Sequence, residues 1–329
     1  MINLGFVGLG WWGNELGNAA QTLSSKINIH GCYSFSSIEM SNFSSKFETK
    51  VYKNYQEMLA DPEIDGVVLA TPHTQHADQV IQAAKTSKHV FVEKPLALTI
   101  RDAKSAASYC NSNNVVLAVG HNRRFSASAQ ELSRWIKDKK LGQLLHVEAH
   151  FSGNSAIQFK KSNWRANQSE SPVGSLVSIG LHMIDTIQWL LGPIDRLSCI
   201  SKRQTLTIDI DDTTAVLFEL KNGMTGTLGT SFATPQTSYL KIYGTKGVAE
   251  TKDDFSTLNW KIGPELTEDA PLETLDTLVA EFQAFIDACE SKSSYPVTPD
   301  EAIKNVSVIE AMNNSSKMNG QWIKIKMSN

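Results

Sequence analysis

Gly8-Leu9-Gly10-Trp11-Trp12-Gly13 is the stretch that decides how this chain is read. It closes an apolar run, Asn3–Gly8, and opens a helical pattern, the context that gives a G-x-G-x-x-G sequence its meaning. Gly8 permits a tight turn, Gly10 lets the backbone approach a pyrophosphate, and Gly13 allows close helix–strand packing. The helix N-terminus adds free N–H groups and a partial positive charge. A dinucleotide is the ligand such a turn implies. Its usual companion is an Asp or Glu at the end of the second strand, holding the ribose hydroxyls. Here the second strand, Ile27–Tyr33, runs into Ser34-Phe35-Ser36-Ser37. That stretch has no carboxylate to repel a 2′-phosphate and no Arg to attract one. Ser34 can bond either form, so NAD and NADP both stay open.

Working outward, short apolar runs alternate with helical patterns through about residue 121. Gly66–Ala70, His89–Glu93 and Val115–Gly120 are continuously apolar, as strands buried on both faces of a parallel sheet are. Asn54 with Glu57, and Thr99 with Asp102, read as helix-opening capping boxes. This alternation predicts a doubly wound α/β domain over 1–121. From residue 122 the pattern changes. Helices are expected near Ser126–Lys140 and Ser175–Leu191, with an alternating strand, Leu144–Ser152, between them. Strands Thr213–Leu220 and Met224–Phe232 flank Asn222-Gly223, a strong hairpin signal, and Ser238–Tyr243 and Val248–Thr251 form a second hairpin. Two late helices, Leu275–Glu290 and Pro299–Lys317, precede a last strand, Gln321–Lys326. The expectation for 122–329 is therefore an α+β domain with a largely antiparallel open sheet.

Composition narrows the function classes. Thirty-one Lys and Arg against 34 Asp and Glu leave a net charge of −3 over 329 residues, with no basic face for a nucleic-acid polymer or an anionic membrane. Cys32, Cys110, Cys199 and Cys289 lie far apart, as free thiols of a reducing cytosol do. The N-terminus lacks the features of a signal peptide and no run reaches the length of a membrane span, so a cytoplasmic protein is expected.

Two side chains stand where chemistry is expected. Lys94, in Glu93-Lys94-Pro95, directly follows a buried strand, and ligands of open α/β sheets lie beyond the carboxyl ends of strands. A lysine there can polarise an oxygen or, if desolvated, shuttle a proton. His182 lies in Gly180-Leu-His182-Met-Ile-Asp185, where the i, i+3 spacing lets Asp185 orient the ring. The pairs His73/His76 and His146/His150 lack a third ligand at a suggestive spacing, and no metal is expected.

Taken in order, Gly8–Gly13, Ala70-Thr71-Pro72-His73-Thr-Gln-His76, Glu93-Lys94-Pro95, Gly120-His-Asn122-Arg123-Arg124-Phe, Trp164-Arg165 and Gly180–Asp185 resemble the glucose–fructose oxidoreductase / inositol dehydrogenase / MocA (Gfo/Idh/MocA) family. The resemblance covers nearly the whole chain, and the Glu-Lys-Pro turn is its most specific element. It implies an N-terminal Rossmann domain and a C-terminal domain whose open sheet makes homodimers or homotetramers. It also implies a nicotinamide cofactor, NAD or NADP, held by Gly8, Gly10, Trp11, Trp12, Gly13, Ser34, Thr71, His73, His76, Glu93, Lys94, Asn122, Trp164 and Arg165. Such enzymes move a hydride between the nicotinamide and a hydroxyl or carbonyl carbon of a sugar, inositol, cyclic polyol or diol. The resemblance gives Lys94 the reacting oxygen and His182 its proton, with Arg123, Ser178 and Asp185 towards substrate. Ser178 stands where the family often has an Asp, four residues before the histidine. That departure motivates the alternative of a non-catalytic ligand sensor, while Lys94 and His182 argue for an enzyme.

Overall fold

The computed structural model describes residues 1–262 and 266–326. By contacts the chain divides into two units, one formed by Met1–Asn122 with Asp276–Val306, the other by Arg123–Leu275 with Ser307–Asn329.

The first unit alternates strand and helix: β1 Ile2–Val7, α1 Trp11–Thr22, β2 Ile27–Tyr33, α2 Ser37–Phe47, β3 Lys50–Val51, α3 Tyr55–Ala60, β4 Gly66–Leu69, α4 His76–Lys85, β5 His89–Glu93, α5 Ile100–Ser112 and β6 Leu117–Gly120. The strands form one sheet in the order β3-β2-β1-β4-β5-β6, every pair parallel. That order reverses between β1 and β4, the place where such sheets bind ligands. Gly66–Leu69 is buried throughout, so its apolar run faces core on both sides. Both capping boxes form: Asn54 accepts the Glu57 N–H at 2.8 Å, and Thr99 Oγ1 accepts that of Asp102 at 3.2 Å. Glu57 reaches back one residue further than expected, taking the Lys53 N–H at 2.8 Å. The two-residue β3 carries too little pattern to be seen in the sequence.

The second unit begins with α6 Ala127–Lys137 and β7 Leu144–Ser152, then α7 Leu181–Leu191. Its strands continue as β8 Ile194–Lys202, β9 Thr213–Leu220, β10 Thr225–Ser231, β11 Thr237–Gly244, β12 Gly247–Lys252, β13 Thr257–Ile262 and β14 Leu266–Asp269. After α8 Thr277–Cys289 and α9 Pro299–Lys317 comes β15 Ile323–Lys324. The nine-stranded sheet runs β14-β13-β12-β11-β7-β10-β9-β8-β15 and is antiparallel except where β10 meets β7. The helix expected over Ser175–Leu191 is in two parts, a wide π turn over Leu176–Gly180 and then α7.

The division of the chain differs from a cut at residue 121. Helix α8 and the start of α9 belong with the first unit because their apolar faces complete its core. Phe282 stacks on Phe91 with centroids 4.8 Å apart, and Phe285 meets the same ring edge-on at 5.8 Å. Ala302, Ile303 and Val306 join the cluster of Val90, Val92 and Val119. Each such burial is worth about 1.5–3 kcal/mol for a large side chain.

Candidate active site

In the first unit the turn after β1 is shaped by contacts that exclude side chains. Gly8 has φ +86°, a left-handed conformation that costs glycine little, and a Cβ there would lie 2.5 Å from Ala70 O. A Cβ on Gly13 would lie 2.1 Å from Gly8 O, so only glycine lets α1 start this close to the turn. Around Gly10 the space is open: a Cβ would meet only Glu39 Oε1, at 3.7 Å. Helix α1 opens with no side-chain cap and no acidic residue in its first turn, leaving its N–H groups to an anion. Trp11 is 73% exposed, and the Trp12 ring lies 5.3 Å from it with a buried Nε1 that has no protein acceptor. These residues fit a dinucleotide diphosphate.

The neighbouring strand ends are tied together. Thr71 Oγ1 donates to Gln79 Oε1 at 2.5 Å. The fully buried ring of His76 has Nδ1 2.7 Å from Pro95 O and Nε2 2.9 Å from Thr71 O, bridging the ends of β4 and β5. His73, also buried, packs edge-on against it at 5.8 Å. Glu93 is buried; its Oε2 accepts the Lys94 N–H at 3.2 Å, and a Cβ on Gly120 would lie 2.9 Å from its Oε1. Lys94 is half-buried at the carboxyl end of β5, where the sequence places it. Asn122 is buried, its Nδ2 donating to Thr277 Oγ1 at 3.0 Å. Ser34 is buried beside a carboxylate that lies outside the 34–37 stretch: its Oγ donates to Glu39 Oε2 at 2.5 Å.

In the second unit His182 is buried on the first turn of α7, its ring 6.3 Å from Phe151. Ser178, half-buried, lies in the π turn just before it. The Asp185 carboxylate accepts both arms of Arg124, from Nε at 2.8 Å and Nη2 at 2.7 Å. That pair is 2% and 1% exposed, and the guanidinium also lies over the Trp189 ring at 5.5 Å. Arg123, next along the chain, makes a second two-armed pair, with Asp254. The Arg165 guanidinium lies over the Trp164 ring at 4.1 Å, in a short turn capped by Asn163. His146 and His150 are each engaged by a hydroxyl, of Thr225 at 2.8 Å and Ser152 at 2.5 Å. Among the described residues one grouping, His30 with Asp61 and Glu63, has a metal-like composition. Its Asp61 Oδ2 is already bonded to Lys50 Nζ at 2.8 Å and Tyr52 OH at 2.6 Å.

Residues 2–121 match the oxidoreductase family with an NAD-binding Rossmann fold, and residues 129–250 match the GFO/IDH/MocA C-terminal domain. The chain belongs to the Gfo/Idh/MocA family. Among relatives of this Gfo/Idh/MocA protein is glucose-6-phosphate 3-dehydrogenase of Bacillus subtilis (strain 168), 27% identical over 232 residues. That match takes in 68% of this chain and 65% of the relative, so the chain spans just under two thirds of that protein's length. A crystal structure described as a putative NADPH-dependent oxidoreductase from Desulfitobacterium hafniense superposes with a TM-score of 0.92 at 25% identity, covering 98% of this chain and 97% of that one. Levoglucosan dehydrogenase in complex with NADH and L-sorbose shares the fold, with a TM-score of 0.90 at 19% identity over 99% of both chains. The cofactor site of this Gfo/Idh/MocA chain is thus a nicotinamide dinucleotide site on a Rossmann sheet. No helix among the described residues is long and apolar enough to cross a membrane.

Proposed function

We propose that this chain is an NAD(P)-dependent dehydrogenase or reductase acting on a hydroxyl or carbonyl carbon of a sugar, inositol or related cyclic polyol or diol. The observation that carries the reading is the placement of Lys94. It follows β5 directly, its own N–H is taken by the buried Glu93 carboxylate, and β5 lies in the sheet whose β1 end forms the glycine cradle. The nicotinamide, when bound, supplies or accepts the hydride. Gly8, Gly10, Gly13 and the start of α1 hold its diphosphate, with Trp11, Trp12, Ser34, Thr71, His73, Asn122, Trp164 and Arg165 as further cofactor contacts. His76 acts by fixing Thr71 and Pro95. The Lys94 ammonium faces the substrate oxygen and stabilises the charge that develops there. His182 takes or gives that oxygen's proton. Arg124 and Asp185 lock α7 beneath His182, and Arg123 and Ser178 contribute to substrate recognition.

Residue-level support for an enzyme over a ligand sensor is that both Lys94 and His182 are retained. A cytosolic home is supported by four free cysteines, Cys32, Cys110 and Cys199 among them buried. Ile200 and Leu217, 52% and 46% exposed on the second unit's sheet, support a homo-oligomer built on that face. The test is Lys94→Ala, assayed by NAD(P)H absorbance over a panel of polyols, sugars and cyclic diols. Turnover is expected to fall on the order of 10²–10⁴-fold, the usual worth of one acid–base group, and by more than dinucleotide affinity falls. Undiminished turnover would remove Lys94 from the mechanism.

A further inference from the structure

Residues 34–45, Ser-Phe-Ser-Ser-Ile-Glu-Met-Ser-Asn-Phe-Ser-Ser, contain a single charged side chain, Glu39. It lies in the first turn of α2, where its N–H is accepted by the cap Ser36 Oγ at 3.3 Å. That turn swings the carboxylate back to the end of β2. There Ser34 Oγ donates to Oε2 at 2.5 Å, and Ser34 Oγ also accepts the Ser36 N–H at 3.4 Å. The other oxygen, Oε1, is the atom closest to the open side of Gly10, 3.7 Å from the position of a Cβ. The carboxylate therefore stands between the diphosphate turn and the end of β2, the interval an adenosine ribose spans in a Rossmann site. The first cation after it, Lys46, is in the last turn of α2 with its ammonium over the Phe47 ring at 5.0 Å. Phe35, 82% exposed beside Ser34, brings no charge.

We propose that Glu39, steadied by Ser34, selects NAD(H) over NADP(H) in this chain. Oε1 accepts from the ribose 2′-hydroxyl, and the same charge repels a 2′-phosphate. The function usually carried by an acid at the end of the second strand is here divided: Ser34 sits directly after β2, and the charge arrives from five residues later. This rests on the dinucleotide reading of the Gly8–Gly13 turn.

Titration of NADH and NADPH fluorescence with the purified chain measures both affinities without any substrate. Like charges brought together cost several kcal/mol, so NADH is expected to bind about 10²-fold more tightly than NADPH. Glu39→Gln keeps the size and the helix cap but removes the charge. It is expected to shrink that ratio by about 10-fold or more, chiefly by tightening NADPH. Ser34→Ala leaves the carboxylate without its hydroxyl partner and shrinks the ratio less. Equal or tighter NADPH binding by the wild type overturns the assignment, as does a ratio that Glu39→Gln leaves unchanged. If neither dinucleotide binds a chain whose circular dichroism is that of a folded α/β protein, the dinucleotide reading falls and the assignment falls with it.

Discussion

In the first unit the candidate site is largely backbone. The Gly8–Gly13 turn keeps its shape because the space a Cβ needs is taken: by Ala70 O at Gly8 and by Gly8 O at Gly13. In the second unit the residues around His182 are held by charge. Asp185, one turn along α7, carries the two-armed Arg124 pair, and Arg123 is clamped to Asp254. The first kind of site breaks when atoms are added, and the second when atoms are removed.

Three substitutions probe this contrast, in decreasing order of effect on stability. Asp185→Ala leaves the Arg124 guanidinium buried without its carboxylate, and the loss is expected to be about 3–5 kcal/mol by denaturant titration. A loss near zero would mean the pair holds nothing. Gly13→Ala forces α1 away from Gly8 O and is expected to cost about 1–3 kcal/mol together with dinucleotide binding. Gly10→Ala is its control: it has room in the fold, so melting is unchanged while cofactor affinity drops. If the two alanines behave alike, the turn is not a fitted cradle.

Asp212 tests the charge-held unit by pH. Burial pushes its carboxyl up, but the N–H groups of Leu206, Thr205 and Gln204 together hold it below the usual carboxylate range. A depressed folded pKa contributes stability that is fully present above the unfolded value of about 4 and is lost as pH falls through the folded value. Asp212→Asn is therefore expected to cost about 1 kcal/mol at pH 7. The gap to wild type should close as the pH is lowered below about 4. A gap that stays constant with pH would show that the three N–H groups do not act on charge.

Legibility followed the same line. The parallel sheet, its β1 turn, both capping boxes and the place of Lys94 could be read from the sequence because glycine spacing, apolar runs and Asn or Thr caps act locally. Strand β7 and the hairpin of β9 with β10 were equally plain, since alternation and Asn222-Gly223 are local signals too. The pairing of Asp185 with Arg124 was not legible: spacing marks residues three or four away on the same helix, and Arg124 comes from before β7. Glu39 was missed for a related reason. The strand end at 34–37 holds no carboxylate of its own; the charge comes back to it from the first turn of α2. Strand β8, Ile194–Lys202, is no part of either hairpin that the sequence marks, and the π turn before His182 leaves no periodic trace distinct from that of an α-helix.

The stacking of Phe91 on Phe282 bears on how the chain comes into being. A ribosome releases all six parallel strands long before it makes the helix that covers Phe91. Until then the nascent sheet has an aromatic surface without its lid, and the long stretch Arg123–Leu275 of the second unit must be threaded out first. Closing so long a loop adds only slowly growing entropy but delays the contact. The N-terminal 121 residues made alone would thus be an unfinished object, sticky at Phe91 and in need of a chaperone's shelter.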